Sequence, residues 1–95
     1  MQYSDIKYKL PVVEKEVSAT VGTTADEITL LNKIECLKVV NSNEEKNVLV
    51  SFDDESTWFT VLPATQREFS KGYESLHIKG SAADTIYEIS YLERQ

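Results

Sequence analysis

Short runs of alternating apolar and polar residues, separated by polar turns, fill the chain from residue 34 to residue 92. The runs are IECLKVV, VLVSF, TWFTVL, SLHIK and IYEISYL. Successive side chains of a β-strand point to opposite faces of the sheet, so a half-buried strand alternates with a period of two. The pattern therefore predicts a small antiparallel β-domain and restricts what else the chain can form.

The length of 95 residues limits the chain to a single, thin hydrophobic core. Its hydrophobic content of 41% and charged content of 27% are typical of a globular domain. Cys36 is the only cysteine, which excludes the intramolecular disulfides that stabilise many small domains. We expect oligomerisation or docking on a larger assembly to supply the missing stability.

The net charge of -6 disfavours binding to nucleic acids and to anionic membranes, because both carry negative charge. No stretch approaches the roughly 20 apolar residues that cross a bilayer, and the segment MQYSDIKYKL lacks the apolar core of a secretory signal. We therefore expect a chain that is made in the cytoplasm and whose partners are proteins.

Residues 1–13 are predicted to form an N-terminal edge strand or a docking arm. The segment alternates apolar and basic side chains, with Ile6, Tyr8 and Leu10 set against Lys7 and Lys9, and Pro11 suits an edge position. Residues 14–95 are predicted to form one antiparallel β-sandwich of about seven or eight strands, either a jelly roll or an immunoglobulin-like fold. Turn signals at intervals of roughly 8 to 12 residues favour such a sandwich.

One stretch allows more than one interpretation. In EITLLNKIECLKVV, the spacing of Ile28, Leu31 and Ile34 also fits a helix, although residues 35 to 40 favour a strand.

The stretch PATQREFSKGYE is predicted to be the longest break in the second half, with Phe69 and Tyr73 folding back over one end of the core. The turns NSNEEKN and GSAAD have the length and composition of hairpin loops.

The only thiol and the only imidazole, Cys36 and His77, are the residue types of a nucleophile dyad. The sequence favours structural roles for both. A cysteine in an apolar run is typically a small buried hydrophobe, and a histidine between Leu76 and Ile78 is typical of the solvent-facing side of a strand. One cysteine and one histidine also fall short of the three or four ligands that zinc takes.

For two further groups of residues, the sequence favours a structural role over a binding site. An acidic cluster comprises Asp53, Asp54 and Glu55, with Glu44 and Glu45 on the preceding turn, but the spacing of a calcium loop and its glycine are absent, which favours a solvated turn. A sugar-binding platform of exposed aromatic side chains would comprise Trp58, Phe59, Tyr73 and Tyr91, although aromatic residues in so small a domain usually belong to the core. We expect no catalytic residue, no cofactor and no metal.

Residues 34–95 contain an ordered series of motifs, namely VxVSFD, then a proline, then LxIKGS and YxIxYxE. In this chain they are Val48, Val50, Ser51, Phe52 and Asp53; Pro63; Leu76, Ile78, Lys79, Gly80 and Ser81; and Tyr87, Ile89, Tyr91 and Glu93. This order resembles the small all-β virion proteins of tailed bacteriophages and prophages.

The resemblance implies a non-enzymatic structural protein of the virion, made in the host cytoplasm, that binds copies of itself or other virion proteins. Capsid decoration is the role preferred, with a neck, head-to-tail joining or tail or fibre attachment protein and a carbohydrate-binding adhesion module as the alternatives. For the interface we predict the N-terminal segment together with an aromatic anchor. The residues concerned are Tyr3, Ile6, Tyr8 and Leu10, with Trp58 or Phe59 as the anchor.

Overall fold

The chain folds as an all-β sandwich of two four-stranded antiparallel sheets. The computed structural model of the protein describes residues 12–94. Its strands are β1 (Val12–Val21), β2 (Asp26–Glu27), β3 (Ile34–Asn41), β4 (Val48–Ser51), β5 (Phe59–Val61), β6 (Thr65–Phe69), β7 (His77–Gly80) and β8 (Thr85–Arg94). The prediction of a small antiparallel β-sandwich is confirmed.

The strand order identifies the sandwich as a jelly roll. Sheet I has the order β1-β8-β3-β6, and sheet II has the order β2-β7-β4-β5. Of the strands that follow each other in the chain, only β4 and β5 are paired. The stretches NSNEEKN and GSAAD were predicted to be hairpin loops, but each carries the chain from one sheet to the other.

Connections between strands gather at two opposite ends of the sandwich. The terminal end holds the first residue of β1, the last residue of β8, and the loops 28–33, 52–58 and 70–76. The distal end holds the loops 22–25, 42–47, 62–64 and 81–84. Strand β8 runs the whole distance between them, about 30 Å at roughly 3.3 Å per residue.

The core lies between the inward faces of the two sheets. Strand β8 alternates as predicted, with Tyr87, Ile89 and Tyr91 buried and Ile86 and Glu88 exposed. The fully buried aliphatic side chains are Ile34, Leu37, Val39, Val48, Val50, Val61, Leu76 and Ile78. Each contributes about 1.5 to 3 kcal/mol through the apolar surface that it removes from water.

A β-bulge in β3 explains the ambiguous spacing near residue 34. Glu35 pairs with Leu92 and Lys38 pairs with Ser90, so Cys36 and Leu37 together lie opposite one residue of β8. Cys36 adopts a left-handed backbone with φ 56°. The extra residue lets Ile34 and Leu37, three positions apart, both point inward. The helical alternative is wrong, because residues 28–33 form a loop and residue 34 begins a strand.

The stretch predicted to be the longest break contains a strand, β6, which pairs with β3 at the edge of sheet I. Four of its five residues are exposed, so it carries no alternating hydrophobic signal. The predicted return of aromatic residues over the core is confirmed, because Phe69 is buried and Tyr73 packs against the core cluster.

Candidate interaction surface

Cys36 and His77 do not form a dyad, because they lie in different sheets. Cys36 is exposed on β3 of sheet I, and His77 belongs to β7 of sheet II. The prediction that Cys36 is buried is wrong. The bulge adds one residue to the strand, and the cysteine side chain therefore stays outside the core while Leu37 enters it.

His77 was predicted to face solvent, but it is only 7% exposed. Its strand register does direct it to the outer face of sheet II, opposite Ser51 of β4 and Glu27 of β2. The turn between β4 and β5 then covers it, with Asp54 Oδ1 3.8 Å and Glu55 Oε2 4.0 Å from Nε2. The Nδ1 atom is buried without a hydrogen-bond partner.

The acidic turn of residues 53–55 is organised by its own hydrogen bonds. The backbone N–H of Thr57 donates to Asp53 Oδ1 at 2.8 Å, and Ser51 Oγ donates to the same oxygen at 2.9 Å. Hydrogen bonds from Thr57 and Ser51 hold the pKa of Asp53 below its usual value. Because Glu44 and Glu45 belong to the opposite, distal end, the five carboxylates share no site. Within residues 12–94, no group of three or more His, Cys, Asp or Glu side chains is placed to hold a metal ion.

Three of the four aromatic residues of the proposed sugar platform pack in or against the core. Phe52 and Tyr73 stack with their ring centroids 3.7 Å apart, and Phe59 and Phe69 pack edge to face at 5.8 Å. The guanidinium carbon of Arg67 lies 5.4 Å from the centroid of the Phe59 ring. Tyr91 is buried in the core cluster. Phe52, Phe59, Phe69 and Tyr73 therefore engage one another and the core, and do not form a separate platform.

Trp58, the remaining aromatic candidate, lies half-buried beside β5. The Lys79 ammonium sits 4.2 Å from the centroid of its ring, a cation–π contact that occupies one face of the indole. Trp58 and Phe59, the two predicted anchors, therefore differ in position, because Phe59 packs against the core while Trp58 remains half-accessible. The predicted interface residues Tyr3, Ile6, Tyr8 and Leu10 lie outside the described residues.

Within residues 13–94, four large apolar side chains are exposed, and none of them was predicted to be an interface residue. They are Val13 at 39%, Leu31 at 78%, Leu62 at 59% and Ile86 at 49% exposure. Val13 and Leu31 lie at the terminal end, whereas Leu62 and Ile86 lie at the distal end. Leu31 and Leu62 lie in loops, where exposure does not follow the alternation of a strand. Their exposure is therefore evident only in the three-dimensional structure.

Strand β1 presents a second kind of surface. It is an edge strand of ten residues, and among the residues that the structure describes it pairs only with β8. The backbone groups on its other side are available to a further strand, as edge strands generally are. Strand β1 begins at Val12, within the segment of residues 1–13 that is predicted to be an edge strand or a docking arm.

No protein-family model matches this chain, and no curated protein matches it. Among solved structures, the chain is similar in fold to a protein of Bacillus endospore appendages, which are described as a novel family of disulfide-linked pili. The TM-score is 0.62 at 13% sequence identity, and the match covers 99% of this chain and 97% of the other. The similarity shows a shared all-β fold over the whole length. This neighbour is an appendage protein and not a phage protein.

Proposed function

We propose that this chain is a non-enzymatic structural subunit that assembles with further copies of itself into a pilus-like surface appendage. The observation that carries the proposal is the fold similarity to an appendage protein over 99% of this chain and 97% of that one. A chain that matches an appendage protein over nearly the full length of both has the form of a building block.

The exposed surfaces are consistent with this role. Strand β1 has an unpaired side of ten residues, and apolar side chains lie exposed at both ends of the sandwich. Residues 1–11 combine apolar alternation with two lysines, whereas the whole chain has a net charge of -6. A basic amphipathic segment and an acidic domain attract each other between copies.

The assembly proposed here is noncovalent. A polymer held together by disulfides along its length requires at least two cysteines in each subunit, and this chain has only Cys36. A bond between two exposed Cys36 thiols joins two copies and then stops. We therefore expect Cys36→Ser to assemble like the wild type, and assembly to be insensitive to dithiothreitol.

The test is sedimentation velocity of the full-length chain over a concentration series, followed by negative-stain electron microscopy. An appendage subunit forms open filaments. Replacing Ile6, Tyr8 and Leu10 together by Asp should abolish them, while the control Ser4→Asp should leave them intact. A wild-type chain that stays monomeric at all concentrations would refute self-assembly.

A second candidate is the bacteriophage virion protein that the motif order of residues 34–95 favours. Capsid decoration remains the preferred role within this class, and a neck or tail protein is the alternative. The same electron microscopy separates these roles. A decoration protein is expected to remain discrete until a capsid shell is present, and a neck protein is expected to form closed rings.

Carbohydrate binding has less support, because Lys79 occupies one face of the Trp58 ring, and Phe59 and Tyr73 pack against the core. A glycan array with the wild type and Trp58→Ala examines it. Glycan binding that is lost in Trp58→Ala would support this candidate, and the absence of binding by both proteins would refute it.

A further inference from the structure

We propose that side chains of β6 form a strap that closes the open edge of β5 and prevents a further strand from pairing there. Strand β5 is the last strand of sheet II, strand β6 is the last strand of sheet I, and the two lie beside each other. An unpaired strand edge ordinarily invites pairing with another chain. The strap belongs to the folded subunit itself and does not depend on the proposed self-assembly.

Three alternate residues of β6 stand on the face that is turned toward the core, because each pairs with a buried residue of β3. They are Thr65, Arg67 and Phe69, which pair with Asn41, Val39 and Leu37 respectively. Phe69 is buried, whereas Thr65 and Arg67 are exposed at the border of the sandwich. A charged residue on the inward face of an edge strand is one of the devices by which proteins block pairing between edges.

Thr65 and Arg67 donate hydrogen bonds to two backbone carbonyls at the edge of sheet II. Arg67 Nη1 donates to the carbonyl of Thr60 at 3.1 Å, and Thr65 Oγ1 donates to the carbonyl of Leu62 at 2.7 Å. In an extended chain, carbonyls two residues apart point to the same side, so these are the acceptors that an added strand would use. The carbonyl of Val61, between them, accepts instead from a buried side-chain amide. The side chains of β6 thus take the place of a neighbouring strand.

The guanidinium group of Arg67 also rests on two aromatic rings. Its central carbon lies 5.4 Å from the ring centroid of Phe59 and 5.1 Å from that of Phe69, and the two rings pack edge to face. These cation–π contacts and the hydrogen bond to Thr60 hold one group from two directions. Because Arg67 remains exposed, its charge keeps contact with water while its stem covers the rings.

The consequence is that an incoming strand must displace both donors and remove the Arg67 charge from water before it can pair with β5. Without the strap, sheet II could continue from one copy into the next, which is the usual route to uncontrolled aggregation. The strap therefore excludes the β5 edge from any ordered assembly of this chain.

The test compares two full-length double variants. Thr65→Val with Arg67→Met removes one hydroxyl and one positive charge from the strap, and it keeps side chains of similar length over the rings. The control, Ser70→Ala with Lys71→Met, removes the same two kinds of group from exposed positions of the 70–76 loop. Circular dichroism and thermal unfolding establish that both are folded. Sedimentation velocity then measures their size, and hydrogen–deuterium exchange measures the protection of their amides.

The strap variant is expected to associate at a concentration at least about tenfold lower than the control. Protection from exchange should then appear at the amides of Thr60 and Leu62, which lie on the same edge as the two capped carbonyls. Arg67→Lys keeps the charge and should remain as discrete as wild type.

A strap variant of the same size as the control at every concentration, or one that associates without protecting these amides, would overturn the inference. Each single variant is measured in the same way, so the test holds even if the double variant unfolds. Every comparison is made against the control at equal concentration, and filament formation by the wild type therefore leaves the result unaffected.

Discussion

Asn41 accepts two hydrogen bonds from Asn43 through a single oxygen: one from the backbone N–H at 2.9 Å and one from the side-chain amide at 2.6 Å. The Asn41 amide in turn donates to the carbonyls of Lys46 and Val61, both at 2.8 Å. Asn41 is 1% exposed. One buried side chain therefore satisfies polar groups of β5 and of the 42–47 loop, and it holds Asn43, whose side chain binds the backbone of Ile86.

We predict that Asn41→Ala lowers the free energy of unfolding by about 2 to 4 kcal/mol, because it leaves buried carbonyl and amide groups without partners. Ser42→Ala, at the exposed neighbouring position, is the control and should change stability by less than about 0.5 kcal/mol. Urea unfolding followed by circular dichroism measures both. Equal stability of the two variants would show that the network contributes nothing.

Substitution of two glycines by alanine should have opposite effects on the stability of the fold. A Cβ built on Gly80 would overlap the side chain of Thr85, which is fully buried, whereas a Cβ on Gly22 meets nothing within 4 Å. We predict that Gly80→Ala destabilises the fold by about 1 to 3 kcal/mol through overpacking. Gly22→Ala should be neutral or stabilising by up to about 1 kcal/mol, because it restricts the unfolded chain. Thermal unfolding of the pair compares them directly, and a Gly80→Ala protein as stable as wild type would contradict the close packing.

His77 should be replaceable by an apolar ring. Its Nδ1 atom is buried without a hydrogen-bond partner, and its Nε2 atom is 3.8 Å from the nearest carboxylate oxygen, beyond hydrogen-bond distance. Removing an unsatisfied buried polar atom while keeping a ring of similar shape is expected to be neutral or stabilising by about 1 kcal/mol. We predict this result for His77→Phe in urea unfolding at pH 8. A loss of more than about 1.5 kcal/mol would mean that the imidazole makes a contact essential to the turn.

We predict that ionisation of the two buried tyrosines, Tyr87 and Tyr91, lowers the stability of the fold at high pH. Burial raises the pKa of Tyr87 and of Tyr91 above the usual value, and the charges of Asp26 and Glu93 respectively add to this effect. A phenol whose pKa is raised by folding keeps its proton longer in the folded chain. Its stabilising contribution is therefore complete below the unfolded pKa of about 10 and is lost as the pH rises through the folded value.

The measurement is thermal unfolding across the range from about pH 8 to about pH 11, together with an ultraviolet titration of the phenols. The wild type should lose stability above pH 10, and the double variant Tyr87→Phe with Tyr91→Phe should lose less. Parallel curves for the two proteins would show that these phenols ionise alike in the folded and the unfolded chain.

The all-β class and the inward faces of the longer strands could be predicted because they depend on local alternation. Strand β8 shows this most clearly, since Tyr87, Ile89 and Tyr91 alternate with exposed residues without interruption. The jelly-roll pairing could not be singled out. Contacts such as that of β1 with β8 join residues more than 60 positions apart, and no local pattern encodes which distant strand becomes the neighbour.

The errors have separate physical causes. Strand β6 was missed because an edge strand with four exposed residues shows no hydrophobic period. Cys36 was misplaced because a bulge shifts the alternation by one residue. His77 was assigned correctly to an outward-facing position, but a turn from elsewhere in the chain buries it. The exposure of Leu31 and Leu62 was not predicted, because both lie in loops, where exposure does not follow the alternation of a strand.

The pairing of Val12 with Arg94 has a practical consequence for protein engineering. The two limits of the described domain lie on neighbouring strands, so a short peptide linker could join them. The 81–84 loop crosses between the sheets at the far end, and opening the chain there would leave every strand pair intact. A circularly permuted protein of this kind would place its new ends, and any tag fused to them, at the distal end of the sandwich.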